Sequence, residues 1–175
     1  NIKDRLLLLR FTPHRNTEGA EYLREACKKG WEGLIAKDAH SVYRHSRSRK
    51  WLKFKCEKGQ ELVICGYTPP EGSRKHFGAL IVGFYDDGNL KDAGKVGTGY
   101  DQQTLEMLHK KMKKIERENP PFDEEVSYKD ATWLEPELVG QFRFTEWTEE
   151  DKLRHPSFLG LREDKKPEDV EKEES

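Results

Sequence analysis

Charged side chains in two short segments have the types and spacing to bind a divalent cation and a polyphosphate. Glu32 begins a short apolar segment that ends at Lys37. The second segment, 51–56, alternates between apolar and basic residues, so Lys53 and Lys55 should project from one face of a strand. A carboxylate suits a hard divalent cation, and adjacent ammonium groups suit phosphate oxygens. The two segments therefore predict a site for a nucleoside polyphosphate. Taken singly, each also fits an ordinary solvated strand.

The two segments together resemble a known pair of motifs. Glu-Gly-Leu-Ile-Ala-Lys at 32–37, followed by Trp-Leu-Lys-Phe-Lys at 51–55, resembles nucleotidyl-transfer motifs IV and V of the ATP-dependent DNA ligases, which share a superfamily with mRNA capping enzymes. Three further segments resemble the ligase part of bacterial and archaeal end-joining ligases, namely 96–99, 144–147 and 153–165. The resemblance extends over almost the whole chain. The family's nucleophile lies in a Lys-x-Asp-Gly motif, and that tetrapeptide does not occur in this sequence.

The resemblance implies roles in ATP binding for the first two motifs. Glu32 would help to hold Mg²⁺ or Mn²⁺, and Lys53 and Lys55 would contact the α-phosphate, which reacts in every step. Lys37 would point away from Glu32 in a regular strand, and we expect it to contact phosphate or DNA.

The tetrapeptide Arg-Glu-Asp-Lys at 162–165 resembles motif VI of the same family. By that resemblance, Arg162 and Lys165 would contact the β- and γ-phosphates of ATP. They could do so only if a second domain swung over the nucleotide, around a hinge near Lys58. The alternative is a charged C-terminal fringe without a ligand.

A basic loop at 41–50 separates the two predicted strands. Four cations lie in it without an intervening acid: Arg44, Arg47, Arg49 and Lys50. Serine and arginine without apolar periodicity predict a mobile loop, and its charge suits DNA phosphates. The alternative is a solvated loop with no partner.

The predicted fold is mainly β with α, in two domains. Residues 1–57 should be the end of an adenylation (nucleotidyltransferase) domain, with a buried strand at 6–9, a helix that ends at Gly30, and two strands. Residues 58–165 should form an OB-fold β-barrel with one inserted helix, because three strands, a helix and further strands follow one another. Asp101 should cap that helix, with Leu105, Leu108, Met112 and Ile115 on one face, and the segments 131–134 and 138–147 should be further strands. The acidic segment 166–175 is predicted to be disordered.

Composition adds few constraints on function. The formal net charge is −1, so affinity for nucleic acid must come from local clusters of cations. The three cysteines, Cys27, Cys56 and Cys65, show no metal-binding spacing and are interpreted as small apolar residues in a reducing compartment. No apolar stretch is long enough to cross a membrane, and a prokaryotic cytosolic location is expected. The segment 94–99 resembles a phosphate-binding loop but lacks its Gly-Lys-Ser/Thr ending.

The resemblance implies part of an ATP-dependent DNA ligase that seals nicks or double-strand breaks through enzyme-AMP and DNA-adenylate. Without the nucleophilic lysine, the chain alone should bind nicked or broken duplex DNA but not adenylate itself. It would need the N-terminal part of the ligase as a partner. Two alternatives stay open: a non-catalytic OB-fold module that binds single-stranded nucleic acid, and an RNA-capping enzyme fragment, which the segment 154–158 disfavours.

Overall fold

The computed structural model describes residues 14–46 and 48–173. The chain divides into two compact units, Asn1–Cys56 and Glu57–Ser175. This division lies one residue before the boundary expected from the sequence. The predicted strand at 6–9 and the cation Arg47 lie outside the described residues.

The first unit contains one helix and a two-stranded antiparallel sheet. Its elements are α1 (Gly19–Lys28), β1 (Gly33–Lys37) and β2 (Trp51–Lys55). Gly30 ends the helix as predicted, since its amide donates to the Cys27 carbonyl and its φ of +74° is unfavourable for other residues.

A disulfide bond within this unit corrects the interpretation of the cysteines. Cys27, in the last turn of α1, is bonded to Cys56, the residue that follows β2. The two cysteines are 29 residues apart in sequence, and only the packing of the helix on the hairpin brings their Cα atoms to 5.4 Å. Cys65 is buried and unpaired, as expected of a small apolar residue.

The second unit is built around an antiparallel sheet with the strand order β10-β7-β3-β4-β5. These strands are β3 (Lys58–Tyr67), β4 (Leu80–Asp86), β5 (Asn89–Val96), β7 (Thr132–Phe144) and β10 (Ser157–Leu161). The shorter elements are α2 (Gln102–Met112), β6 (Glu116–Arg117), β8 (Glu146–Trp147), β9 (Leu153–Arg154) and a 3₁₀ turn (Pro167–Asp169). Helix α2 lies between the third and fourth main strands, so the order of elements is that of the predicted OB fold. The Phe158 amide donates to the Thr98 carbonyl and links the two edges of the sheet.

Helix α2 covers the core of this unit with the face that the sequence predicts. Asp101 caps its first turn by accepting from the Thr104 amide at 2.8 Å. Leu105, Leu108 and Met112 recur at helical spacing and are buried against the sheet. In the described residues, no helix is both long enough and apolar enough to span a membrane.

The acidic C-terminal segment is ordered through residue 173, so the expectation of a disordered tail is wrong for 166–173. The Val170 side chain is 1% exposed and belongs to the core. The Tyr85 amide donates to the Val170 carbonyl at 2.7 Å, and the Gln60 side chain donates to the Glu171 carbonyl at 2.9 Å. A single apolar residue therefore anchors a segment whose average composition is typical of disorder. Residues 174 and 175 lie outside the described range.

Candidate phosphate-binding sites

The hairpin of the first unit places three lysines on one face. Lys53 and Lys55 occupy alternate positions of β2, and Lys37 lies opposite Trp51 on the neighbouring strand. Directly opposed residues of an antiparallel pair, and every second residue along a strand, project to the same side. Lys37, Lys53 and Lys55 therefore share one side of the sheet.

The Glu32 carboxylate lies beside this group of lysines. The Lys53 ammonium donates to Glu32 Oε1 at 2.6 Å. This hydrogen bond, and then the positive charges of Lys53 and Lys55, lower the pKa of Glu32. The carboxylate is thus ionised at neutral pH and largely exposed, which leaves an oxygen for a cation.

Gly33 explains how Glu32 reaches the lysines. In a regular strand Glu32 and Lys37 would project to opposite sides, as the sequence predicted. Gly33 interrupts the alternation with a φ of +150°, and a Cβ at this position would be 2.0 Å from the Phe54 carbonyl oxygen. Glu32 lies just before β1, and Gly33 has a backbone that only glycine fits, so the opposition expected in a regular strand does not apply to this pair.

Lys37 has a local partner as well. Its ammonium lies 4.2 Å from the centroid of the Trp51 ring, in a cation–π contact. The contact holds the end of a flexible side chain without neutralising its charge.

Glu32 by itself would give a metal ion only one protein side chain as a ligand. Among residues 14–46 and 48–173, no three His, Cys, Asp or Glu side chains are grouped to hold a metal ion. Glu32 fits a Mg²⁺ ion that keeps water and phosphate oxygens as its other ligands, which is usual for nucleotide-bound magnesium.

One cation of the basic loop has an acidic partner that sequence reasoning missed. The Lys50 ammonium donates to Asp38 Oδ2 at 3.0 Å, and this hydrogen bond is the main cause of the lowered pKa of Asp38. Arg44 and Arg49 line an open depression of about 480 Å³ together with His40. Asp38 precedes the basic loop in the sequence, and pairing of β1 with β2 brings it to Lys50.

Arg162 and Lys165 come together at one carboxylate of the second unit. Arg162 Nη1 lies 2.6 Å from Glu61 Oε1, and Lys165 Nζ lies 3.6 Å from Glu61 Oε2. Asp164 accepts from Arg162 Nε at 2.9 Å and from Nη2 at 2.8 Å. Glu61 carries no signal in the sequence, because it lies on β3, about a hundred positions from its partners. The structure brings these cations together within this unit, and the three lysines and Glu32 within the other.

The glycine-rich segment after β5 has a structural role. The Thr98 carbonyl accepts from the Phe158 amide at 2.9 Å, and the Thr98 hydroxyl donates to the Pro156 carbonyl at 3.0 Å. The segments 96–99 and 153–165, recognised separately in the sequence, thus contact each other directly. This agrees with a tight turn and not with a phosphate-binding loop.

Two family models match the chain. Residues 73–165 match "ATP dependent DNA ligase C terminal region", and residues 4–55 match "ATP dependent DNA ligase domain".

Curated relatives include multifunctional end-joining proteins. The chain is 35% identical over 168 residues to "Multifunctional non-homologous end joining protein LigD" of Pseudomonas aeruginosa, covering 93% of this chain and 20% of that protein. It is 39% identical over 161 residues to its counterpart in Mycobacterium tuberculosis H37Rv, covering 89% and 21%. A "DNA ligase" of Thermococcus fumicolans is 36% identical over 166 residues, covering 88% and 28%. The chain thus spans about a fifth of the length of the end-joining relatives.

Two solved structures resemble this chain over almost its full length. The ligase domain of M. tuberculosis LigD superposes with a TM-score of 0.66 and 36% identity, over 98% of this chain and 58% of that domain. A mycobacterial DNA ligase D "complexed with ATP and MES" gives a TM-score of 0.62 and 34% identity over the same shares.

Proposed function

We propose that this chain, which belongs to the ATP-dependent DNA ligase family, supplies phosphate-binding and DNA-binding residues to an enzyme that seals nicks or double-strand breaks. The observation that carries the proposal is the grouping of Lys37, Lys53 and Lys55 on one face of the hairpin, with the Glu32 carboxylate at their side. Three cations and one carboxylate match the charge of a nucleotide phosphate with its metal ion.

The chemistry we assign to these side chains is charge neutralisation and orientation. Ligation by this family proceeds by successive phosphoryl transfers, in which in-line positioning and electrostatic stabilisation account for most of the catalysis. Lys53 and Lys55 would bind the α-phosphate, with Lys37 beside them as a further phosphate or DNA contact. Glu32 would hold Mg²⁺ or Mn²⁺, whose positive charge neutralises the phosphate oxygens.

Arg162 and Lys165 are assigned to the β- and γ-phosphates of ATP. Both belong to the second unit, so the proposal divides the triphosphate contacts between two parts of the chain. A guanidinium is well suited to this role, because its planar donors match phosphate oxygens.

We infer that the chain by itself does not carry out adenylation, for which the family uses a lysine in a Lys-x-Asp-Gly motif. Without a Lys-x-Asp-Gly tetrapeptide, the chain by itself should not form a lysine–AMP bond. Incubation with radiolabelled ATP and magnesium, followed by denaturing electrophoresis, tests this expectation. A labelled chain whose AMP is released by acid, as a phosphoramidate is, would contradict it.

The basic loop is assigned to the DNA backbone. Nicked duplex binding, measured by fluorescence anisotropy between 50 and 200 mM salt, should weaken steeply as counterions compete for phosphate. The double variant Arg44→Ala/Arg49→Ala should bind more weakly, with a log–log salt slope reduced by about 2, since each phosphate contact contributes roughly 0.9.

A matched variant controls for total charge. Arg24→Ala/Lys28→Ala removes two cations from helix α1 of the same unit and should leave the slope unchanged. Equal slopes for the loop variant and the unmodified chain would refute the assignment of the loop to DNA.

The same assay separates the ligase assignment from a single-strand-binding OB module. Such modules stack bases on exposed aromatic side chains. In the part of the barrel that the structure describes, the large exposed apolar residues are Met107 and Leu159, neither of which is aromatic. We therefore expect a nicked duplex to compete better than a single strand, and the reverse order would favour the single-strand module.

A further inference from the structure

The Arg162 guanidinium is held by groups of its own unit. The Gln141 side chain accepts from Nη1 at 3.2 Å, and Glu61 Oε1 forms an ion pair with Nη1 at 2.6 Å. Asp164 accepts from Nε and Nη2. A guanidinium has five N–H donors, and three of them are used in these hydrogen bonds.

The charges of this cluster cancel. Arg162 and Lys165 contribute two positive charges, and Glu61 and Asp164 contribute two negative charges. The guanidinium lowers the pKa of Asp164 to about 2, so that carboxylate stays ionised throughout the physiological range. The cluster as it stands has no net charge to attract a polyanion.

The ordered tail adds negative charge on the Lys165 side. Glu61 and Lys165 line one depression together with five residues of the tail, Asp169, Val170, Glu171, Lys172 and Glu173. The lining contains four carboxylates and two ammonium groups, a net charge of −2. A phosphate that approaches Lys165 therefore meets an acidic surface.

We propose that Glu61 and Asp164 form an internal counter-anion that occupies Arg162 and Lys165 at rest, and that a polyphosphate must displace it to bind. This inference rests on the proposed function, in which the two cations bind ATP phosphates. The contact is autoinhibitory, because it weakens phosphate binding by the second unit alone. Once the phosphate has left, the two carboxylates pair with Arg162 and Lys165 again.

The geometry makes the displacement chemically simple. Only hydrogen bonds and ion pairs are exchanged, since phosphate oxygens replace carboxylate oxygens beside the same cations. Arg162 and Lys165 are about one-third exposed, so a ligand can reach them from solvent. Glu61 lies within β3, which fixes its backbone, and its side chain is 18% exposed.

Binding of inorganic tripolyphosphate to the chain, measured by calorimetry without divalent cations, tests the proposal. Glu61→Gln keeps the shape of the side chain and removes its charge, and it should increase the affinity about fivefold. Asp164→Asn should increase the affinity as well, because it weakens the hydrogen bonds to Arg162 Nε and Nη2. Glu163→Gln is the matched control: it removes an adjacent exposed carboxylate that pairs with Lys111, and should change the affinity less than twofold.

Asp164→Asn keeps the test valid if the Glu61 variant fails to fold. Asp164 is exposed and lies outside the sheet, so its substitution should not affect folding. If the folded Glu61 and Asp164 variants bind tripolyphosphate no more tightly than Glu163→Gln, the counter-anion proposal is refuted.

A further variant separates this failure from failure of the proposed function. Arg162→Gln/Lys165→Gln, made in the Glu61→Gln background, should return binding to the unmodified level or below. If it binds as tightly as Glu61→Gln alone, the assignment of the two cations to phosphate is wrong. If it loses affinity while Glu61→Gln shows no gain, only the counter-anion proposal fails.

Discussion

Gly99 lies so close to Phe158 that a Cβ at position 99 would be 2.2 Å from the Phe158 carbonyl oxygen. Gly99 also has a φ of +98°, which side chains disfavour. Gly99→Ala should therefore destabilise the barrel by about 3 kcal/mol, through strain and through separation of the two strand ends. Urea denaturation followed by far-UV circular dichroism measures this.

The neighbouring glycine provides the control. A Cβ at Gly97 would meet only Ala79, at 3.9 Å, without a positive φ. Gly97→Ala should change the free energy of unfolding by no more than about 0.5 kcal/mol. Equal effects of the two substitutions would show that the contact with Phe158 does not close the barrel.

Reduction of the Cys27–Cys56 disulfide should loosen the first unit and leave the second unchanged. The bond closes a loop between positions 29 apart, for which loop-closure entropy gives about 3.6 kcal/mol. Hydrogen exchange, with and without a phosphine reductant, should show faster exchange in α1 and β2 upon reduction and unchanged exchange in β3.

The variant Cys27→Ser/Cys56→Ser should exchange like the reduced protein and be insensitive to reductant. Alkylation of all three cysteines in the unreduced, denatured chain would contradict the disulfide.

Glu32→Gln should have opposite effects on ATP affinity with and without a divalent cation. In EDTA, the variant frees the Lys53 ammonium from its carboxylate partner, so ATP should bind more tightly than to the unmodified chain. In Mn²⁺, the lost metal contact should weaken ATP binding by about tenfold. Equilibrium dialysis under both conditions measures the change.

Glu21→Gln, which removes a carboxylate from helix α1 of the same unit, should have no effect under either condition. A Glu32→Gln effect of the same sign in EDTA and in Mn²⁺ would exclude Glu32 as a metal contact.

The barrel should lose stability as the pH falls below neutrality, because of His109. Burial, the neighbouring His76 and the Lys113 charge lower its pKa from the ordinary value of 6.5, and Glu116 opposes the shift. The Tyr67 ring lies edge-on to the imidazole, with 6.0 Å between the ring centroids. The folded state thus takes up the proton less readily than the unfolded chain. Stability is full above the unfolded pKa and declines as the pH falls through 6.5 towards the folded pKa.

His109→Gln should reduce this pH dependence, measured by thermal unfolding between pH 7.5 and 5.5. His40→Gln, in the basic loop of the other unit, should leave it unchanged. An identical pH dependence in the His109 variant would show that another group titrates.

Local signals predicted several elements correctly. Asp101 and the helical spacing of Leu105, Leu108 and Met112 predicted α2, because capping and amphipathicity depend on residues within a few positions of each other. Alternation likewise predicted that Lys53 and Lys55 share a face, which the pairing of β2 with β1 shows. The order of strands and helix along the chain indicated the OB fold.

Strand boundaries were harder to predict. The segments 131–134 and 138–147 were expected to be separate strands, but 132–144 is one strand that changes partner near Pro136. It pairs with β3 on both sides of a register shift, and only its other edge changes partner, from β6 at Trp133 and Leu134 to β10 at 140–143. Proline has no amide hydrogen for the ladder, and the irregular pairing around it accommodates the residue.

The sequence by itself determined which charged residues lie on one strand and which family they indicate, because both are written in short motifs. Only the tertiary structure decided which carboxylates neutralise them. Glu61 meets Arg162 and Lys165, Cys27 meets Cys56, and Val170 enters the core through contacts between distant parts of the chain. Such contacts depend on how whole elements pack, and no local pattern of residues specifies them.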